Sequence, residues 1–304
     1  MSENHRPFSL DAAKKYNSKQ DYILFDEITD AIPDLALRND GEKFALAVHK
    51  YQQDNGLLAD GCLGRQTYTH LLSAYFPSSS EYVVYNSARI PLPSRDEYKL
   101  ITFDEPHGLD LHRFGNFSTR SDRPTSVCVH WGGLDAQHCY NVFASRTRKV
   151  SSHFLIGLED GEAVVYQVLD AQHKAWHGGT VNDISIGIDI CQQATTSWKD
   201  HYDKEGYGLS VIDNPTGRGE KKVLSLHPKL RVAAATFISD LFDALNLDLL
   251  PAPDASSICL DEVNDGTVTL FGHSHVNRRK WDIAPYWDEI IDEIFLEEEQ
   301  PPQS

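Results

Sequence analysis

The run "LFGHSHVNRRKWDIAPYW" (residues 270–287) crowds His273, His275, Lys280 and Asp282 into one short polar stretch. A solvated loop could carry such a run by chance, and a metal site would carry it for cause. Hydrolytic zinc sites use three protein ligands of nitrogen or oxygen type and leave a fourth position for water. His273 follows an apolar run and a glycine, and Asp282 offers a hard oxygen. His130, in "SVCVHWGG", stands where a strand pattern gives way to a glycine pair. His130, His273 and Asp282 would make a His2Asp set, distant in sequence and able to meet in space. With 14 histidines in the chain, residue type alone offers many triplets. Histidines satisfied by ordinary hydrogen bonds are the competing reading.

Such a set needs rigid elements to hold it. In "SVCVHWGG", Val127 and Val129 alternate with Cys128 and His130, the period of a strand. "ISIGIDIC" puts Ile184, Ile186, Ile188 and Ile190 on one side and Ser185, Gly187, Asp189 and Cys191 on the other. A face carrying a glycine and a carboxylate has cleared space for another group. "SHFLIGLEDGEAVVYQV" reads as two strands joined at Asp160-Gly161. "PKLRVAAATFISDLFDAL" reads as an amphipathic helix with Leu230, Ala234, Phe237, Leu241 and Leu245 inward. Residues 195–225 are polar and turn-rich.

Ahead of these lies a small helical unit, residues 9–75. "EKFALAVHKYQQDNG" aligns Phe44, Ala47, Val48 and Tyr51 on one helical face, and "LLADGCLGRQTYTHLL" turns at Asp60-Gly61 into another helix. Residues 76–97 are rich in serine and proline and read as a linker. Residues 98–295 read as an α/β domain, a mixed central sheet flanked by helices. Residues 296–304 form an acidic tail expected to fray.

Bulk properties exclude several classes. The 304 residues are 40% hydrophobic and 24% charged, a globular balance. A formal net charge of −17 argues against a nucleic-acid partner, which needs a basic footprint. It also removes nonspecific attraction to acidic envelopes, so any polymer must be held by shaped sites. The apolar runs are too short for a membrane-spanning helix. "MSENHRPFSLDAAKKYNSKQ" lacks the apolar core of a secretory signal, so synthesis in the cytoplasm and export by another route are expected. The five scattered cysteines, with no CxxC, read as reduced and mostly buried thiols.

Four segments, "VCVHWGG", "VSSHFLIGLEDGEAVVYQVLDAQHKAWHGG", "NDISIGIDI" and "GHSHVNRRKWDIAP", resemble in order and spacing the zinc-dependent N-acetylmuramoyl-L-alanine amidases. That family shares its fold with the peptidoglycan recognition proteins and phage lysozyme-type amidases. Separately, "FALAVHKYQQDNGLLADGCLGRQTYTHLL" resembles the three-helix peptidoglycan-binding module, through its Q, G, DG, G and T pattern.

The resemblance implies one Zn2+ per chain on His130, His273 and Asp282, with peptidoglycan or muropeptides as partner. It makes Lys280 the catalytic lysine and Asp189 the general base where relatives carry glutamate. Trp131, Trp176, His177 and Asn182 would contact substrate in the cleft. The implied reaction is hydrolysis of the amide joining the lactyl group of N-acetylmuramic acid to L-alanine. Bound zinc would bring the pKa of water to about 7; Asp189 would take the proton and Lys280 would stabilise the oxyanion.

Three departures stand out. Asp189 is a methylene shorter than glutamate, the proline and glycine that usually follow the ligand aspartate are missing, and the His273-to-Asp282 spacing is one residue tighter than in many relatives. His275 is the alternative to His273 as ligand. His153 reads as a hydrogen-bonded structural histidine and Cys128 as core. Trp131 and Trp176 could stack on sugars or simply pack. The alternative functions are a muropeptide binder that does not cut, and a recycling amidase that stays in the cytoplasm. A lytic enzyme would reach the wall through a phage holin, a signal-independent secretion machine or lysis.

Overall fold

A computed structural model describes residues 8–20, 22, 24, 26–75 and 81–298. The chain divides into two compact units, one of Met1–Ser80 with Tyr85–Pro91 and the other of Glu81–Val84 with Leu92–Ser304.

The first unit holds α1 (Leu10–Asn17), α2 (Asp26–Ala31), α3 (Gly41–Asp54) and α4 (Arg65–Tyr75). Four α-helices are therefore present among the described residues, where three were expected. The short polar α1 and α2 lack the long apolar stripe that marks α3. Asp40 caps α3 by accepting from the Lys43 N–H at 3.2 Å. Phe44, Ala47, Val48 and Tyr51 are all buried on the expected face. Buried Gln52 knits the following turn. Its amide accepts from Gly61 N–H at 2.8 Å and donates toward Asp60 Oδ1, the Cys62 carbonyl and Thr67 Oγ1. Gly61 sits at φ +72°, where a side chain would be strained. The Q–DG–T pattern is thus the scaffold of this unit.

Two strands, β1 (Glu81–Tyr85) and β2 (Ala88–Leu92), fall where the units divide, inside the segment expected to be a linker. Residues 76–80 of that segment lie outside the described residues. The reason for order at Val84 is local: its N–H donates to Gln167 Oε1 at 2.6 Å and its carbonyl accepts from Gln167 Nε2 at 2.7 Å.

The second unit is built on a six-stranded mixed sheet of β3 (Lys99–Thr102), β4 (Ser126–Trp131), β5 (Phe154–Glu159), β6 (Glu162–Gln167), β7 (Ser185–Ile190) and β10 (Leu270–Gly272), in the order β10-β4-β7-β5-β6-β3. β10, β4, β7 and β5 run parallel, and β6 returns antiparallel to β5. Asp160 and Gly161, at φ +50° and +80°, make the tight turn between β5 and β6. The expected turn-rich region also contains a small ribbon, β8 (Val211–Asp213) with β9 (Lys222–Leu224), and the helix α6 (Lys199–Lys204).

Both faces of the sheet are covered, which is why every residue of β7 is buried. On one face α5 (Ala136–Ala144) packs Ala136, Cys139 and Phe143 into a cluster with Leu155, Val164, Tyr166 and Cys191. On the other, Phe154 meets Phe237 of α7 (Pro228–Ala244) at 4.9 Å between ring centroids. The chain closes with α8 (Leu260–Asp265), α9 (His273–Val276) and α10 (Trp287–Glu298). Residues 296–298, expected in the tail, thus belong to α10, and 299–304 lie outside the described residues.

Candidate metal centre

The cavity of interest opens at the carboxyl ends of the parallel strands, the usual place for a ligand in such sheets. It measures about 260 Å3, and His130, His177, Asp189, His273, Lys280 and Asp282 are among its lining residues. His130 is directly opposite Asp189 in the β4–β7 register, and Asp189 is opposite Leu155 on β5. Leu155 belongs to the α5 cluster, so His130 and Asp189 share the face that α5 covers. His273 follows β10 immediately as the first residue of α9, and Asp282 lies in the turn before α10.

Strand ends and one turn bring the three donors together. Asp282 Oδ2 lies 3.2 Å from His273 Nδ1 and 3.4 Å from His130 Nδ1. The His130 and His273 rings cross at 70° with centroids 4.8 Å apart. Zinc–nitrogen and zinc–oxygen bonds of about 2.0–2.1 Å in a tetrahedron put neighbouring ligand atoms about 3.3 Å apart. Both separations from Asp282 match that edge, and all three donor atoms lie within 4.8 Å of one another, so the donor set fits such an ion in type and spacing. Burial alone would raise the Asp282 pKa, but hydrogen bonds from His130 and His273, with their charges, hold it below the ordinary carboxylate range. Burial keeps His273 below its usual value, whereas at His130 burial is outweighed by Cys128, Asp282 and Asp189, which hold that imidazole above its own, so a metal there would displace a proton. A charged carboxylate and a neutral imidazole are the forms that ligate.

The turn that carries Asp282 is held by an unusual backbone. Ile283 adopts φ +68°, a left-handed conformation that β-branched residues avoid. Its side chain is fully buried, and a Cβ on Gly272 would fall 2.3 Å from Ile283 Cγ2. The glycine before His273 and the strained isoleucine after Asp282 therefore interlock.

Asp189 is buried, and its pKa is raised by burial against the opposing pull of His130 and Ser152. The space foreseen beside it is real. A Cβ on Gly187 would come within 2.6 Å of Ser152 Oγ and 2.7 Å of His177 Cγ. Lys280 is exposed at the cavity, close enough to His273 for its charge to depress that imidazole.

The remaining expected residues divide. Trp131 lines the cavity, donates its indole N–H to the Gln192 carbonyl, and packs against Trp281 at 5.1 Å. His177 lines the back of the cavity, buried, with Nδ1 3.0 Å from His130 Nε2. Trp176 and Asn182 are not brought to the lining. Lys149 and Lys174 hold their ammonium groups 5.2 and 5.3 Å from the Trp176 ring. Asn182 is buried, its Oδ1 accepting from the N–H groups of His177 at 3.1 Å and Gly178 at 2.6 Å.

His275 is not available as a ligand: Nδ1 accepts from Gly272 N–H at 2.8 Å and Nε2 donates to the Asp254 carbonyl at 3.0 Å. His153 is occupied the same way, by Gly187 N–H and the His173 carbonyl, both at 2.8 Å. Burial lowers His275 to about 4 and His153 to about 3. Cys128 is buried with its thiol pushed up by burial, yet its sulfur lies within 4.8 Å of donor atoms on His130 and His177. All five cysteines are free.

Sequence reasoning missed Arg148, an exposed cation on the cavity lining, and Ser151 and Cys139 beside it. The basic cluster "SRTRK" in so acidic a chain was the available signal for Arg148.

A sequence profile described as N-acetylmuramoyl-L-alanine amidase matches residues 120–285, over half of the chain. A curated relative, N-acetylmuramoyl-L-alanine amidase A of Achromobacter lyticus, is 31% identical over 74 residues, which is 24% of this chain and 41% of that protein. The chain thus spans about two fifths of the length of the curated relative it matches. Among solved structures, the PlyG catalytic domain is 16% identical with a TM-score of 0.39, over 68% of this chain and 98% of that one. The amidase AmiD from E. coli, solved with anhydro-N-acetylmuramic acid-L-Ala-D-gamma-Glu-L-Lys, is 17% identical with a TM-score of 0.37, over 57% and 58%. Among the described residues no helix is long and apolar enough to cross a membrane.

Proposed function

The chain belongs to the N-acetylmuramoyl-L-alanine amidase family, and from that membership we propose that it hydrolyses the amide between the lactyl group of N-acetylmuramic acid and L-alanine in peptidoglycan. The observation that carries the reading is the approach of Asp282 Oδ2 to within 3.2 and 3.4 Å of His273 and His130, beside a buried carboxylate. These three residues would hold zinc, leaving one coordination position open. When bound, zinc supplies Lewis acidity and brings the pKa of a water to about 7.

The chain's own groups do the rest. Asp189, its pKa raised by burial, takes the proton of the attacking water and delivers it to the departing L-alanine amine. In the β4–β7 register Asp189 stands opposite His130, on the same face of the sheet. Lys280 places a positive charge where the carbonyl oxygen becomes negative. Trp131 offers an apolar wall for a sugar ring, and Arg148 an exposed cation for a stem-peptide carboxylate. The first unit acts as a wall-binding module. What supports this is its motif and a cavity of about 640 Å3 lined by Pro33, Lys50, Tyr51, Asn55 and Tyr75 among others.

Purified protein incubated with peptidoglycan should release stem peptides with a free L-alanine amine and leave peptide-free glycan, as read by mass spectrometry. Chelator and His130→Ala should each abolish release. Binding to peptidoglycan without any cleavage by zinc-loaded protein would overturn the proposal in favour of a recognition module.

A further inference from the structure

Taking His130, His273 and Asp282 as the zinc ligands proposed above, we propose that His177 is a positioning residue that fixes the tautomer of His130, and so presents the His130 Nδ1 lone pair to the metal. The deduction runs from a backbone carbonyl outward. His177 Nε2 lies 3.3 Å from the Ser185 carbonyl oxygen, which can only accept. The Ser185 hydroxyl, 3.4 Å from the same nitrogen, gives its one proton to the Val181 carbonyl at 2.7 Å, so it too accepts from His177. The His177 proton is therefore on Nε2.

A neutral imidazole has one such proton, and its other nitrogen is an acceptor. His177 Nδ1, 3.0 Å from His130 Nε2, then requires His130 to be the donor. His130 therefore keeps a proton on Nε2 for His177, which leaves Nδ1, 3.4 Å from Asp282 Oδ2, as the nitrogen that gives up its proton to the metal. Ligating histidines generally donate their second N–H to an oxygen acceptor that orients the ring; here the acceptor is a second imidazole, itself set by the main chain of β7.

The surroundings are built for this contact. His177, Asn182 and Ser185 are all buried. Asn182 Oδ1 grips the His177 and Gly178 N–H groups, fixing the backbone from which the ring projects. The His130 and His177 rings meet edge-on at 88° with centroids 5.2 Å apart. Gly187 has no side chain to displace the ring, since a Cβ would stand 2.7 Å from it. Asn182 and Gly187 thus serve the metal through His177.

Two measurements test the proposal. Nitrogen-15 histidine spectra should show His177 as the Nε2–H tautomer in the metal-free protein, and His130 with its one proton on Nε2 in the zinc-loaded protein; an Nδ1 proton on His177, or on zinc-loaded His130, overturns it. Zinc affinity, read by competition with a chromophoric chelator, should fall about 10–100-fold in His177→Ala, with one ion still bound per chain. His177→Asn, whose Oδ1 can stand where Nδ1 stood, should recover most of that loss, while His177→Gln should not.

Unchanged affinity in His177→Ala would overturn the proposal. So would a cobalt-loaded protein showing a thiolate charge-transfer band that disappears in Cys128→Ser, because Cys128, His130 and His177 would then be holding the ion themselves. Zinc binding unaffected by His130→Ala would sink the proposed ligand set. In that event the metal-free spectra still decide whether His177 accepts from His130.

Discussion

Asp189 sits where a proton acceptor costs the most to bury and does the most once there. Its ordinary value of 3.8 is raised by burial, so the acid limb of activity should have its midpoint above that value. The sign follows from the role: only the deprotonated form accepts a proton, and protonation arrives at a higher pH than for an exposed aspartate. Asp189→Asn should lower kcat by about 10²–10⁴ and leave zinc affinity intact. Because a carboxylate with a raised pKa is destabilising above it, the same variant should unfold at a higher temperature at pH 7. A variant that melts lower, with activity retained, would remove Asp189 from the mechanism. Lys280→Met should cost about 10²–10³ in kcat without changing the melting temperature, since the side chain is exposed. At this scale motif order singled out His130, His273 and Asp282, which the fold brings together. The contact between His177 and His130 was not legible, because hydrogen-bond direction is set by carbonyls that no sequence pattern marks.

Among the elements, β7 is the one the alternating pattern described best. Ile186, Ile188 and Ile190 bury one face, and Gly187 and Asp189 line the other. Gly187→Ala should destabilise the protein by about 1–3 kcal/mol, the usual range for overpacking a core, and weaken zinc binding by pushing on His177; chemical denaturation and chelator competition would read the two effects. The turns were less legible. Ile283 in a left-handed conformation is invisible to propensity, because tertiary interlocking with Gly272 overrides it. The strands β1 and β2 hid in a serine- and proline-rich stretch because part of their order comes from the Gln167 side chain. His153 and His275 make a further prediction for the loops they pin. Each is held neutral, with folded values of about 3 and 4 against 6.5 when unfolded. Between those limits the unfolded chain binds more protons, so stability should be full above pH 6.5 and decline as pH falls toward 4. A denaturation midpoint that stays flat across that window would contradict this account of the two imidazoles.

At the scale of the whole molecule the net charge of −17 opposes approach to an anionic wall, and the cations Arg148 and Lys280 at the cavity act only at short range. Salt screens the long-range repulsion first. Initial rates on wall fragments should therefore rise between low and physiological ionic strength, where a basic lysin would slow down. The sheet order has another outcome. His130 and Asp189 are joined by direct register early in the chain, whereas His273 and Asp282 wait on β10, a three-residue edge strand. Without β10 and the turn after it the sheet can still set Asp189 opposite His130, but two of the three proposed donors are missing, so a chain cut before Leu270 should not hold zinc.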